Sequence, residues 1–62
     1  MIVKCTDNSK AIAPLFTVGK TYEIKDNGEI TCDDGYTFGV MNTAEKQLEF
    51  IRTVYGFEVV SE

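Results

Sequence analysis

The central segment, residues 21–32, constrains the fold more than any other part of this chain. Its apolar residues Tyr22 and Ile24 alternate with polar ones, and a period of two is typical of a strand with one buried face. The tripeptide Asp-Asn-Gly at 26–28 follows, and Asn-Gly favours the type I′ turn of a β-hairpin because both residues tolerate positive φ angles. Residues 29–32 then return as a second strand. We therefore predict a β-hairpin in the middle of the chain.

Related patterns on either side predict three more strands. Residues 1–5 alternate in the same way. A second turn sequence, Asp-Asp-Gly at 33–35, leads into a strand at 36–41, and residues 57–60 form a short closing strand. The residues predicted on buried strand faces are Val3, Cys5, Tyr22, Ile24, Ile30, Cys32, Tyr36, Phe38 and Val40.

The hydrophobic period changes after residue 41. Three apolar residues are spaced by four and three, as one face of a helix requires: Ala44, Leu48 and Ile51. Asn42 or Thr43 can cap the N-terminus of this helix. We predict a helix over about residues 43–53 that fades toward Gly56, because glycine commonly follows a helix C-terminus.

Length and composition favour one small folded unit. The chain has 62 residues, of which 44% are hydrophobic and 26% charged, and these proportions are ordinary for a globular protein. We predict a single domain, residues 1–62, with a β-rich α+β fold. Sequential hairpins of this size form either a small barrel or a twisted antiparallel sheet of about five strands, here with one short helix.

Two motifs in the first half resemble a group of very small phage and bacterial proteins. They are Lys4-Cys5-Thr6-Asp7-Asn8-Ser9 and the stretch from Leu15 to Ile24, Leu-Phe-Thr-Val-Gly-Lys-Thr-Tyr-Glu-Ile. The pattern of that group is K-C-x-D-N-S followed by L-T-x-G-K-x-Y-E-V. The resemblance implies an SH3-like barrel, a phage origin, and binding to a host protein that is thereby inhibited or otherwise modulated. The helical segment at 42–52 departs from the pattern, which leaves the order of the closing strand open.

The chain offers few groups for catalysis or metal binding. It has no histidine, which usually performs acid–base work near neutral pH. Cys5 and Cys32 are predicted to be buried, reduced thiols, with a disulfide as the alternative. Adjacent Asp33 and Asp34 fit a turn better than a catalytic pair. We therefore expect no enzymatic activity, no cofactor and no metal.

The charge balance bears on the partner. Ten acidic residues face six basic ones, for a net charge of −4, and no basic run is present, which disfavours direct phosphate binding. No signal peptide or membrane span is visible in the sequence, so we expect a cytoplasmic protein, in the host cytoplasm if phage-encoded.

These observations favour a non-enzymatic protein-binding module whose partner is a host protein with a basic surface. The alternative is a small barrel protein that binds or mimics nucleic acid. The partner-binding residues are predicted at hairpin tips and on the exposed helix face, with one aromatic anchor: Asp26, Glu29, Asp33, Asp34, Glu45, Glu49 and Tyr55.

Overall fold

The computed structural model describes all 62 residues, Met1 to Glu62, and confirms a β-rich α+β fold. Five strands and one helix follow one another along the chain: β1 (Ile2–Asp7), β2 (Thr21–Glu23), β3 (Ile30–Thr31), β4 (Thr37–Phe38), α1 (Ala44–Ile51) and β5 (Gly56–Ser61). The helix has neither the length nor the apolar character needed to cross a membrane.

Strand β1 is the centre of the larger sheet. It pairs antiparallel with β2 on one side and with β5 on the other, in the order β2-β1-β5. Strands β3 and β4 form a separate antiparallel pair, which a single bridge between Ile24 and Ile30 connects to the end of β2. Strand β4 pairs with no strand other than β3, so the structure shows two antiparallel sheets and does not show a closed barrel.

Both predicted hairpin turns form, but not as type I′ turns. The Gly28 N–H donates to the carbonyl of Lys25 at 2.8 Å, and the Gly35 N–H donates to that of Cys32 at 3.0 Å. Only the glycines have positive φ angles, 91° and 87°, and Asn27 does not. Each loop is therefore a turn closed by a left-handed glycine, the arrangement of three-residue hairpins with a bulge.

Eleven buried apolar side chains form one core: Val3, Cys5, Phe16, Tyr22, Ile24, Ile30, Cys32, Ala44, Leu48, Ile51 and Phe57. The predicted strand faces are confirmed except in the fourth strand, where Tyr36 is 64% and Val40 59% exposed. This strand was predicted too long. The backbone N–H groups of Val40 and Met41 donate to Oε1 of buried Gln47 at 3.1 and 2.9 Å, so the chain has already left the ladder there.

The helix begins where the sequence predicts and ends earlier. The Thr43 hydroxyl accepts a hydrogen bond from the Lys46 N–H at 3.2 Å, which makes Thr43 the N-cap. The helix ends at Ile51, and Gly56 opens β5 instead of closing the helix. A β-carbon on Gly56 would lie 2.6 Å from the Thr6 hydroxyl oxygen. Glycine is therefore needed there for close packing against β1.

Phe16 is a core residue that the pattern analysis did not identify. It lies in the long loop between β1 and β2 and is 1% exposed. Its ring packs edge-on against Tyr22, Tyr55 and Phe57, with centroid distances of 4.8, 5.1 and 5.2 Å. The loop thus supplies the centre of the aromatic core.

Both cysteines are free and buried, as the sequence predicts. Burial raises the pKa of each thiol. Without reductant, we expect a thiol-specific reagent to label neither cysteine in the folded protein and both after unfolding in urea, as read by mass spectrometry. A mass two hydrogens lower and resistance to labelling would instead reveal a disulfide.

Gly28 and Gly35 provide a matched test of the turns. A β-carbon on Gly28 would lie 2.1 Å from the Met41 carbonyl oxygen, whereas one on Gly35 would meet nothing within 4 Å. Gly35→Ala should cost about 1–2 kcal/mol for the left-handed conformation alone, and Gly28→Ala roughly 1–3 kcal/mol more from overpacking. Urea unfolding measures both changes. Equal losses would show that Gly28 does not pack against the segment before α1.

Candidate functional site

The structure divides the predicted partner-binding residues into two groups. The first combines the β2–β3 turn with the start of α1, and we call it the turn–helix acidic surface: Asp26, Glu29, Glu45 and Glu49. Gly28 brings these elements together, because its α-carbon lies so close to the Met41 and Thr43 carbonyls that a β-carbon would be 2.1 and 3.2 Å from their oxygens. The turn therefore adjoins the N-terminus of the helix.

The carboxylates of this surface have no partner within the protein. The only ion pair in the structure joins Lys20 and Asp33, and none of the four makes a side-chain hydrogen bond. Glu45 lies in the first helical turn, where the helix dipole favours a negative charge, and Glu49 follows four residues later on the same helical face. Lys25 and Lys46 lie next to these acids in sequence, but neither forms an ion pair with them.

The second group consists of Asp33, Asp34 and Tyr55. The Asp33 carboxylate is hydrogen-bonded to other side chains of this protein. One carboxylate oxygen accepts from the Tyr22 hydroxyl at 2.6 Å and from Lys20 Nζ at 3.1 Å. The other accepts from the Thr17 hydroxyl at 2.5 Å. These bonds, Thr17 first and Tyr22 next, lower the pKa of Asp33 to about 2. The carboxylate is charged at neutral pH, but its charge is used to fix the loop before β2.

Only one of the two carboxylate oxygens of Asp34 is hydrogen-bonded within the protein. Its Oδ1 accepts from the Cys32 thiol at 2.7 Å and from the Tyr36 N–H at 3.0 Å, and these bonds lower the pKa of Asp34. Burial, reinforced by the bond to Asp34, raises the pKa of the Cys32 thiol. A protonated thiol therefore donates to a charged carboxylate, whose Oδ2 makes no hydrogen bond.

Tyr55, the predicted anchor, is only partly available. Its hydroxyl accepts from the Leu15 N–H at 3.0 Å, and its ring packs edge-on against Phe16 at 5.1 Å. Tyr36 is the tyrosine that the structure leaves most exposed, at 64%. Sequence reasoning assigned Tyr36 to the core from its alternation with Phe38, although its place directly after Asp-Asp-Gly was a sign of a hairpin tip.

One open cleft of about 360 Å³ lies between β2 and β3. Its rim carries charges of both signs, from Lys20, Glu23, Lys25 and Glu29. The side chains of Glu23, Lys25 and Glu29 make no hydrogen bond, and the Cys32 thiol, which donates to Asp34 at 2.7 Å, also lines the cleft. The structure also brings together no set of three cysteine or acidic side chains able to hold a metal ion.

Comparison of the chain with protein-family models, with curated proteins and with solved structures found no match in any of the three. The geometry of the chain itself and the resemblance of its first half are therefore the grounds on which its function is proposed.

The Asp33 network predicts a specific pH dependence of stability. Because the pKa of Asp33 is about 2 in the folded protein and 3.8 ordinarily, its contribution is complete above the ordinary value and lost as pH falls toward 2. We expect Asp33→Asn to lower the free energy of unfolding at pH 6, and the difference from the natural protein to shrink between pH 4 and pH 2.

Chemical unfolding at a series of pH values measures this difference. Asp26→Asn is the control, because the Asp26 carboxylate makes no hydrogen bond and its removal should change stability little. A difference between the natural protein and Asp33→Asn that stays constant down to pH 2 would contradict the assigned role.

Proposed function

We propose that this protein is a non-enzymatic module that binds a basic surface of another protein through its turn–helix acidic surface. One observation carries the proposal: the carboxylates of Asp26, Glu29, Glu45 and Glu49 have no cation or hydrogen-bond donor within the chain, whereas Asp33 has both. Charges that do not serve the fold are free to serve an encounter with a partner.

The position of these charges supports the proposal. They lie on a hairpin turn and on the outward face of a helix, and Glu45 and Glu49 are exposed. Residues of this kind project from the surface without disturbing the core. Complementary charges speed association and set orientation more than they raise affinity, so binding should weaken as salt screens the charges.

The resemblance of the first half supports the biological setting. Small phage proteins of this kind often bind and inhibit host proteins, and we propose the same role for this chain, in the cytoplasm of an infected bacterium. The partner would present lysine and arginine side chains on its surface. Inhibition would then follow if the bound module covers a working surface of that protein.

The test compares two charge-reversed variants as baits for proteins from a bacterial lysate. Glu45→Lys with Glu49→Lys alters the turn–helix acidic surface. Glu58→Lys with Glu62→Lys produces the same change in net charge at two exposed positions outside it, in and directly after β5. Circular dichroism first checks that both variants keep the fold.

We expect the natural protein and the control variant to capture the same protein, and the Glu45 and Glu49 variant to lose it. The captured protein should be released by untagged natural protein and by added salt. Equal capture by all three baits would place the interface elsewhere. Capture that depends on nucleic acid in the lysate, and disappears after nuclease treatment, would favour the nucleic-acid alternative.

A further inference from the structure

The β3–β4 hairpin presents an exposed aromatic ring that the fold itself does not use. Tyr36 is 64% exposed. Its ring lies nearly parallel to that of Phe38, with a centroid distance of 6.0 Å and an interplanar angle of 18°, and Phe38 in turn packs against the core. One face of the Tyr36 ring is thus stacked on Phe38, while most of the side chain remains exposed to solvent.

The Asp34 carboxylate is held against the backbone of Tyr36. Asp34 is held by the Tyr36 N–H at 3.0 Å and by the Cys32 thiol at 2.7 Å, and both donate to Oδ1. The same bonds that orient the carboxylate leave Oδ2 without a donor. A fixed carboxylate oxygen and an open aromatic ring therefore come from residues two positions apart.

A second tyrosine and aspartate in this protein, Tyr22 and Asp33, show that such a pair can bind a cation. Lys20 Nζ lies 5.6 Å from the centroid of the Tyr22 ring and 3.1 Å from Oδ1 of Asp33. In that arrangement, one cation satisfies both the π face of a tyrosine and an aspartate oxygen. Tyr36 and Asp34 also bring a tyrosine and an aspartate together at the surface, joined through the Tyr36 backbone N–H instead of a tyrosine hydroxyl, and no cation of this chain is paired with Asp34.

We propose that Tyr36 and Asp34 bind an arginine side chain of the protein partner. The planar guanidinium stacks on an aromatic ring and donates to a carboxylate at its edge, which the ammonium group of lysine does less well. Nucleobases also stack on tyrosine, but the Asp34 carboxylate, two positions before the ring, repels phosphate. The proposal deepens the proposed function by naming one contact on the partner, at a place separate from the turn–helix acidic surface.

The test uses a small probe and needs no partner protein. N-acetyl-arginine amide is titrated into the natural protein at low salt, and backbone amide signals are followed by two-dimensional NMR. N-acetyl-citrulline amide is the matched probe, because it has nearly the same shape and no charge. We expect the arginine probe to shift the signals of residues 34–36 in a saturable way, and the citrulline probe to leave them in place.

Three variants assign the contact. Tyr36→Leu keeps an apolar side chain on Phe38 but removes the π face, and Asp34→Asn keeps the acceptor for the Tyr36 N–H but removes the charge. Each should weaken binding of the arginine probe about two- to fivefold. Tyr36→Phe should bind it as the natural protein does.

Several results would overturn the assignment. These are equal shifts from both probes, unsaturable shifts spread over the whole acidic surface, or undiminished binding by Tyr36→Leu. Stronger shifts of residues 34–36 by a ten-nucleotide oligothymidine would show that the ring stacks on nucleobases instead. If a variant fails to fold, the comparison of the arginine and citrulline probes on the natural protein still tests whether residues 34–36 bind a guanidinium group. Failure of this test while the Glu45 and Glu49 variant loses its partner would reject only the arginine site.

Discussion

The packing of Phe16 joins parts of this protein that backbone hydrogen bonds leave separate. The β3–β4 pair meets the larger sheet at one bridge, so side chains must do the rest. From the loop before β2, the Phe16 ring contacts Tyr22 of β2, Phe38 of β4 and Phe57 of β5. Such aromatic pairs contribute about 0.5–1.5 kcal/mol each beyond the burial of their surface, which is considerable in so small a domain.

The same loop decides which acidic residues are free. Its backbone and side chains are fixed by Asp33, which binds Thr17 and Lys20 and whose N–H donates to the Leu15 carbonyl at 2.9 Å. One predicted binding residue thus has a structural role. The acids of the turn–helix acidic surface have no structural role of this kind. The turn contacts the segment before the helix through the backbone of Gly28, which packs against the carbonyls of Met41 and Thr43.

Local patterns predicted the elements well and their connections poorly. The period of two and the spacing of Ala44, Leu48 and Ile51 report burial directly, and these faces were correct except in the fourth strand. The burial of Phe16 was missed because a loop residue has no period. Tyr36 was placed in the core because alternation cannot reveal that β4 begins only at Thr37, one residue after Tyr36. The separation of Asp33 from Glu45 depends on tertiary contacts that no local pattern encodes.

The central position of β1 sets an order on folding during synthesis. Residues 2–4 pair with residues 21–23, but the other edge of β1 waits for residues 56–61. A nascent chain that has released only its first half can therefore form β1 and β2 but leaves one side of β1 unpaired, and closing the longer loop also costs more entropy. An open strand edge pairs readily with other chains. Until β5 emerges from the ribosome, aggregation competes with completion of the sheet.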